Sequence, residues 1–198
     1  LSTAGSVDIV RWAKARGIAV TAEVTPHHLY FTDEVVASYD PVYKVNPPLR
    51  TAADVAAVRA GLADGTIDIV ATDHAPHPAE DKDCEWQAAA FGMTGLESAL
   101  AIVHETMVMT GQLTWAQVAQ RMSSAPAAIA RLATQGRPIA PGEPANLVVF
   151  DPRPTVTVDP AATASASRNT PYGGRTLRGA VVATFFRGRP TVLDGKLA

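Results

Sequence analysis

Apolar positions follow two periods in this chain, and their alternation organises its first half. Between residues 6 and 16 they recur every three or four places, at Val7, Val10 and Ala13, with Ser6 able to cap the start and Gly17 suited to the left-handed position past the end. This spacing predicts a helix over 6–16. From Ile18 to Thr25 the pattern alternates and gathers β-branched residues, which predicts a strand ending at Pro26. The sequence then repeats the arrangement. Thr51 with Asp54, followed by Val55, Val58 and Leu62 on one face, predicts a helix over 51–62. Ile67-Asp68-Ile69-Val70 reads as a strand buried on both faces, preceded by an Asp64-Gly65 turn and stopped by a polar cluster and Pro76. Two helix-then-strand units with near-continuous apolar strands are what a parallel α/β sheet requires.

Further along, Gly95–Val108 carries a helical stripe of Leu96, Leu100, Val103 and Met107, with Thr94 and Glu97 as a capping box and His104 off the stripe, on the surface. Two more helices are expected over 114–122 and 126–133, capped by Thr114 and Ser124. The Pro/Gly-rich stretch 136–144 breaks this pattern and divides the chain into residues 1–135 and 136–198. Beyond it, strands are expected over 146–150, 155–158, 181–187 and 191–193, with turns at Arg187-Gly188-Arg189-Pro190 and Asp194-Gly195.

Composition narrows the class. The chain has 198 residues, 47% of them apolar, enough to bury a core. No apolar run approaches the roughly 20 residues needed to cross a bilayer. A net charge of −2 supplies no basic face for nucleic acid, and no Gly-rich Lys-Ser/Thr phosphate loop occurs. The single cysteine, Cys84, lies among Asp81, Lys82, Asp83 and Glu85, a solvated loop thiol that suits a reducing cytoplasm. The chain opens on Leu1-Ser2-Thr3 without Met or signal-peptide features, and so reads as part of a longer polypeptide.

The candidate chemistry gathers at one strand end. Asp73, His74 and His77 follow the Ile67–Val70 strand, and the C-terminal edge of a parallel sheet is where ligands bind. Spacing leaves three roles open for Asp73: metal ligand, general base, or cap of a helix or turn. His27 and His28 also follow a strand, but neighbours in extended chain point to opposite sides, so support of the site is expected of them more than joint ligation. Pro47 and Pro48 stiffen the segment that carries Asn46, whose amide can face a ligand or merely brace a turn. Arg50 can face an anion or solvent. Residues 78–87 are polar enough for a mobile loop over the site, and Gly92 after Phe91 permits close backbone approach to a ligand.

Four blocks in order, Thr25-Pro26-His27-His28, Lys44-Val45-Asn46-Pro47-Pro48-Leu49-Arg50, Thr72-Asp73-His74-Ala75-Pro76-His77 and Phe91-Gly92-Met93-Thr94-Gly95-Leu96-Glu97, closely resemble dihydroorotases of the class I type in the amidohydrolase superfamily. The resemblance runs essentially the length of the chain. It implies the C-terminal part of a (β/α)8 TIM-type barrel, with residues 1–135 supplying strands seven and eight, and residues 136–198 supplying the C-terminal share of a small β-domain. The implied reaction is zinc-dependent, reversible hydrolysis of the cyclic amide of dihydroorotate to N-carbamoyl-aspartate, a step of pyrimidine biosynthesis. In that reading Asp73 is a metal ligand and the proton carrier. Asn46 and His77 bind the substrate carboxylate, Phe91 and Gly92 line the pocket through their backbone, and His74 orients Asp73 or packs beneath it.

The family's other metal ligands come from strands upstream of Leu1, so these residues alone are expected to be inactive. The resemblance also implies a small-molecule substrate, with no nucleic-acid or membrane partner, and a homo-oligomer or an assembly with other pyrimidine enzymes. Two alternatives stand beside it: an allantoinase or hydantoinase type, which shares the barrel and its strand-eight Asp, and a non-catalytic dihydroorotase-like assembly partner. The Asn46–Arg50 and Asp73–His77 blocks together resemble dihydroorotase more.

Overall fold

The computed structural model describes residues 1–198. Helix α1 (Ala4–Ala15) starts one turn before the expected cap, because Thr3 in extended backbone accepts from the Ser6 N–H and Ser6 answers reciprocally. Its inner face is Val7, Val10 and Ala13, as the spacing predicts. Strand β1 (Glu23–Val24) is far shorter than the alternating stretch, since its one partner, β2 (Ile69–Val70), matches it over two residues: Glu23 with Ile69 and Val24 with Val70, in parallel.

Helix α3 (Ala52–Asp64) starts at the Thr51 cap and ends at Gly65, whose φ of +90° lies in the left-handed region. Between α1 and α3 there is no room for a side chain at Gly61, where a Cβ would sit 2.9 Å from Val7 Cγ1. Val24, Leu29, Val58, Leu62 and Ile67 are fully buried in the core that these helices and strands enclose. Lys14 Nζ reaches both Asp68 carboxylate oxygens at 2.7 Å, and Asp68 Oδ2 accepts from the Ala22 N–H at 2.8 Å. One ion pair thereby joins α1 to both strands.

The expected helix over 95–108 begins late, as α5 (Ala99–Val103) continuing into a π-helical turn (His104–Val108). Its anticipated capping box is absent. Thr94 is buried with its N–H donated to Asn169 O at 3.0 Å, and the Glu97 carboxylate accepts from the Ala164 and Ser165 N–H groups. Thr114 caps α6 (Trp115–Ala119) in a reciprocal box with Gln117. The two helices expected from there form one continuous run, α6 passing through a π turn (Gln120–Ser124) into α7 (Ala125–Ile129). Ser124 therefore caps nothing. The widened turn accommodates Pro126, which lacks an N–H to donate.

An antiparallel sheet in sequential order contains β3 (Leu147–Thr157), β4 (Thr176–Phe186), β5 (Arg189–Leu193) and β6 (Lys196–Leu197). The two strands expected at 146–150 and 155–158 are one, with a register shift between Asp151 and Thr155 where Pro152 and Pro154 offer no ladder donor. Both anticipated hairpin turns form. Arg187 with Gly188, and Asp194 with Gly195, all have positive φ, the signature of two-residue type I′ turns.

His104 is not the surface histidine expected. It is 5% exposed, its Nδ1 lies 3.0 Å from Arg178 O on β4, and its ring stacks on Trp115 at 5.2 Å with Phe150 of β3 edge-on at 5.5 Å. Phe150 comes this close because Gly179 opposite has no Cβ, which would meet the ring at 2.1 Å. The antiparallel sheet thus docks on the helical part through an aromatic cluster.

Candidate active site

Strand β2 delivers Asp73 three residues past its end, where the backbone turns sharply. Asp73 has a φ of +49°, a left-handed conformation that Asp tolerates better than most residues, and its side chain is exposed. It caps no helix. The chain then runs alongside the segment around Met93: His74 bridges Met93 in parallel fashion, and the Ala75 N–H donates to Met93 O at 3.0 Å.

The hydrogen bonds of His74 run to the segment after Met93 and not to Asp73. Its Nδ1 accepts from the Gly95 N–H at 3.0 Å and the Leu96 N–H at 3.3 Å, which fixes the proton on Nε2. The ring therefore organises the entry to α5.

Of the anticipated substrate-facing residues, three lie together. His77 Nε2 is 2.9 Å from Phe91 O, so that nitrogen carries the hydrogen, and Nδ1 faces Asp81 at 3.7 Å. Gly92 has a φ of +121°, and a Cβ there would lie 3.3 Å from His77 Nε2. Asn46 is exposed, and its side chain makes no hydrogen bond to the other three. Its segment is nevertheless tied in, since the Gly92 N–H donates to Lys44 O at 2.9 Å.

His27 and His28 lie on a helical turn, α2 (Pro26–Tyr30), in place of the expected extended chain, because Pro26 suits a first helical position and Thr25 caps it. His28 is a brace. Its Nδ1 is 2.7 Å from Thr25 Oγ1 and its Nε2 is 3.0 Å from Pro47 O, directly beside Asn46. Burial lowers its pKa, with the Pro47 carbonyl and the nearby charge of Asp73 opposing that shift. His27 is 1% exposed, its Nε2 has no partner, and burial, helped by His28, pushes its pKa down to about 3. It is a neutral packing residue.

Residues 78–87, expected as a loop, include a helical turn. Ala79–Lys82 forms a short helix, α4, and two ammonium groups hold the carbonyls that follow. Lys44 Nζ donates to Gln87 O and Ala89 O at 3.0 and 2.6 Å, and Lys82 Nζ to Ala90 O and Gly92 O at 2.8 and 2.9 Å. Lys44 also lies 4.6 Å over the Phe91 ring. Asn169, in the loop between β3 and β4, bonds to both Ala75–His77 and Gly92. Nothing local in its sequence signals this, because its partners are 77–94 positions away.

No three His, Cys, Asp or Glu side chains converge on a point that could hold a metal ion. Asp73, an exposed carboxylate at a strand end, suits a single ligand, and one ligand is not a site.

Known proteins bear on this arrangement. The chain is 68% identical over 197 residues to a dihydroorotase of Streptomyces coelicolor, covering 100% of this chain and 46% of that protein. Against a dihydroorotase of Leifsonia xyli the identity is 62% over 195 residues, covering 98% and 44%. The chain thus spans about half the length of the curated relatives it matches. Among solved structures, the L-hydantoinase (dihydropyrimidinase) from Arthrobacter aurescens superposes with a TM-score of 0.92 at 28% identity, over 100% of this chain and 45% of that one. A dihydropyrimidinase from Brevibacillus agri gives a TM-score of 0.91 at 23% identity, a likeness of fold, over 100% of this chain and 44% of that one. The amidohydrolase family model matches residues 2–191. These residues therefore belong to the amidohydrolase family and have the α/β fold of part of its TIM-type barrel.

Proposed function

We propose that this chain is the C-terminal part of a dihydroorotase, which hydrolyses the cyclic amide of dihydroorotate to N-carbamoyl-aspartate and closes it again in pyrimidine biosynthesis. The observation that carries the reading is the 68% identity to the Streptomyces coelicolor dihydroorotase across the whole chain. The hydantoinases that share the fold do so at 28% identity or less among those compared. We take residues 1–135 as the barrel part and 136–198 as the share of the β-domain.

The family is metal-dependent, and zinc is the metal we assign. Asp73 would be its one ligand from this chain, the others coming from outside these residues. When bound, zinc lowers the pKa of a water and polarises the amide carbonyl, which neutral water attacks poorly. The exposed Asp73 carboxylate takes the proton released as the nucleophile forms and returns it to the leaving ring nitrogen. Asn46 and His77 hold the substrate's carboxylate, while the backbone of Phe91 and Gly92 lines the ring. The anionic small molecule is the partner proposed. A homo-oligomer or an assembly with other pyrimidine enzymes in the cytoplasm goes with that assignment.

The test is a chimaera in which these residues replace the matching 46% of the Streptomyces coelicolor dihydroorotase. Folded and loaded with zinc, it is expected to hydrolyse dihydroorotate within about tenfold of the parental kcat/KM. A folded, zinc-loaded and inert chimaera would overturn the proposal and favour a non-catalytic homologue.

A further inference from the structure

Asn169 belongs to the loop between β3 and β4, more than ninety positions from Asp73, yet it is 7% exposed and lies between the two segments that flank the site. Its Nδ2 donates to Ala75 O at 2.9 Å and to Gly92 O at 3.4 Å. Its Oδ1 accepts from the His77 N–H at 3.2 Å, and its main-chain oxygen accepts from the Thr94 N–H at 3.0 Å. The loop that presents it is anchored by Tyr172, wholly buried and stacked on Phe31 at 5.3 Å, and by Arg175, 4.9 Å over the same ring.

This pattern demands an amide. One end must donate to two carbonyls while the other accepts an N–H, which a carboxylate, hydroxyl or methyl group in the same place does not do. What the amide fixes is the separation of His77 from the Phe91–Gly92 backbone. Backbone pairing between the two segments is confined to the His74–Met93 bridge and the Ala75 N–H bond to Met93 O, and the remaining ties are side-chain ones: His77 to Phe91 O, Lys82 to Ala90 O and Gly92 O, and Asn169 to both segments.

We propose that Asn169 is a positioning residue: by clamping Ala75–His77 to Gly92 it sets the gap in which a ring bearing a carboxylate is held, and so contributes selectivity for that substrate class over the neutral ring. This rests on the dihydroorotase reading above, in which His77 meets the carboxylate and Phe91–Gly92 the ring. Asn169 touches no reacting atom, so its effect falls on KM more than on kcat.

The experiment uses the zinc-loaded chimaera, with Asn169→Ala and the isosteric Asn169→Asp, which keeps the volume and the acceptor but turns an oxygen toward two carbonyls. Three quantities are measured: KM and kcat for dihydroorotate, the inhibition constant of dihydrouracil (the same ring without the carboxylate), and amide hydrogen exchange at residues 75–77 and 92–94. In both variants KM is expected to rise about tenfold, kcat to stay within about twofold, the dihydrouracil constant to stay within about twofold, and exchange to quicken in both segments. A folded variant with unchanged KM overturns the inference, as does an equal loss toward both rings accompanied by a fall in kcat. If Asn169→Ala does not fold, Asn169→Asp decides between the same results. An unsubstituted chimaera that is folded, zinc-loaded and inert overturns the dihydroorotase reading itself, and this is seen before any change at Asn169.

Discussion

Gly92 packs so closely on Ala75 that a Cβ at position 92 would lie 2.5 Å from Ala75 Cβ. The contact brings the segment after β2 against the segment before α5, the two stretches between which the candidate substrate groups lie. Since Gly92 also has a φ of +121°, two separate costs oppose any side chain there.

Gly92→Ala is therefore expected to destabilise the fold by about 2–4 kcal/mol, combining backbone strain with overpacking. Ala75→Gly in the same molecule removes the steric part and leaves the strain. A double-mutant cycle measured by urea unfolding should return a coupling of about 1 kcal/mol or more. Additive effects would show that the two segments are not in contact.

At His104 the expectation concerns the docking of the antiparallel sheet. His104→Ala removes the stack on Trp115 and the hydrogen bond to Arg178 O, and should cost about 2–4 kcal/mol. His104→Phe keeps the stack and loses the bond, and should cost about 1–2 kcal/mol. Thermal unfolding ranks the two. Indistinguishable midpoints for the variants and the parent would place this ring on the surface after all.

His27 predicts an acid sensitivity. Its folded pKa of about 3 lies below the ordinary histidine value near 6.5, so between those values the unfolded chain binds a proton that the folded chain does not. Its contribution to stability is complete above about pH 6.5 and declines as the pH falls toward 3, by about 1.4 kcal/mol per pH unit. His28, lowered in the same direction by burial, adds to the slope. Urea unfolding from pH 7 to pH 5 should show this decline above the range where carboxylates titrate. In His27→Gln the slope should be shallower, and an unaltered slope would contradict the assignment.

Legibility in the sequence followed the range over which each choice is made. The caps at Thr51 and Thr114, the left-handed turns at Gly17, Gly65, Arg187-Gly188 and Asp194-Gly195, and the apolar faces of α1 and α3 are decided within a few residues, and they stand close to where their spacing puts them. Strand lengths depend on partners. Ile18–Thr21 has the composition of a strand, but the ladder with β2 begins only at Glu23. Pro26, expected to end a strand, instead starts a helix, because Pro after Thr25 serves a helix N-terminus as readily as a strand end.

The site divides along the same line. Asp73, His77, Phe91 and Gly92 are nominated as candidates because each sits in a short block that carries the resemblance to dihydroorotases. Asn169, Lys44 and Lys82 could not be, since their importance lies in backbone groups met only after folding. His104 misled for a related reason: it lies off the stripe that faces the barrel core, and the second face it presents is covered by a sheet from the far end of the chain.

The most direct test of the central claim is Asp73→Asn in the zinc-loaded chimaera. It conserves volume and removes the charge that accepts the proton. The account predicts a folded protein whose kcat for dihydroorotate falls by about a thousandfold or more. A folded Asp73→Asn chimaera that keeps more than about a tenth of the parental kcat would contradict the assignment of the chemistry to this strand end.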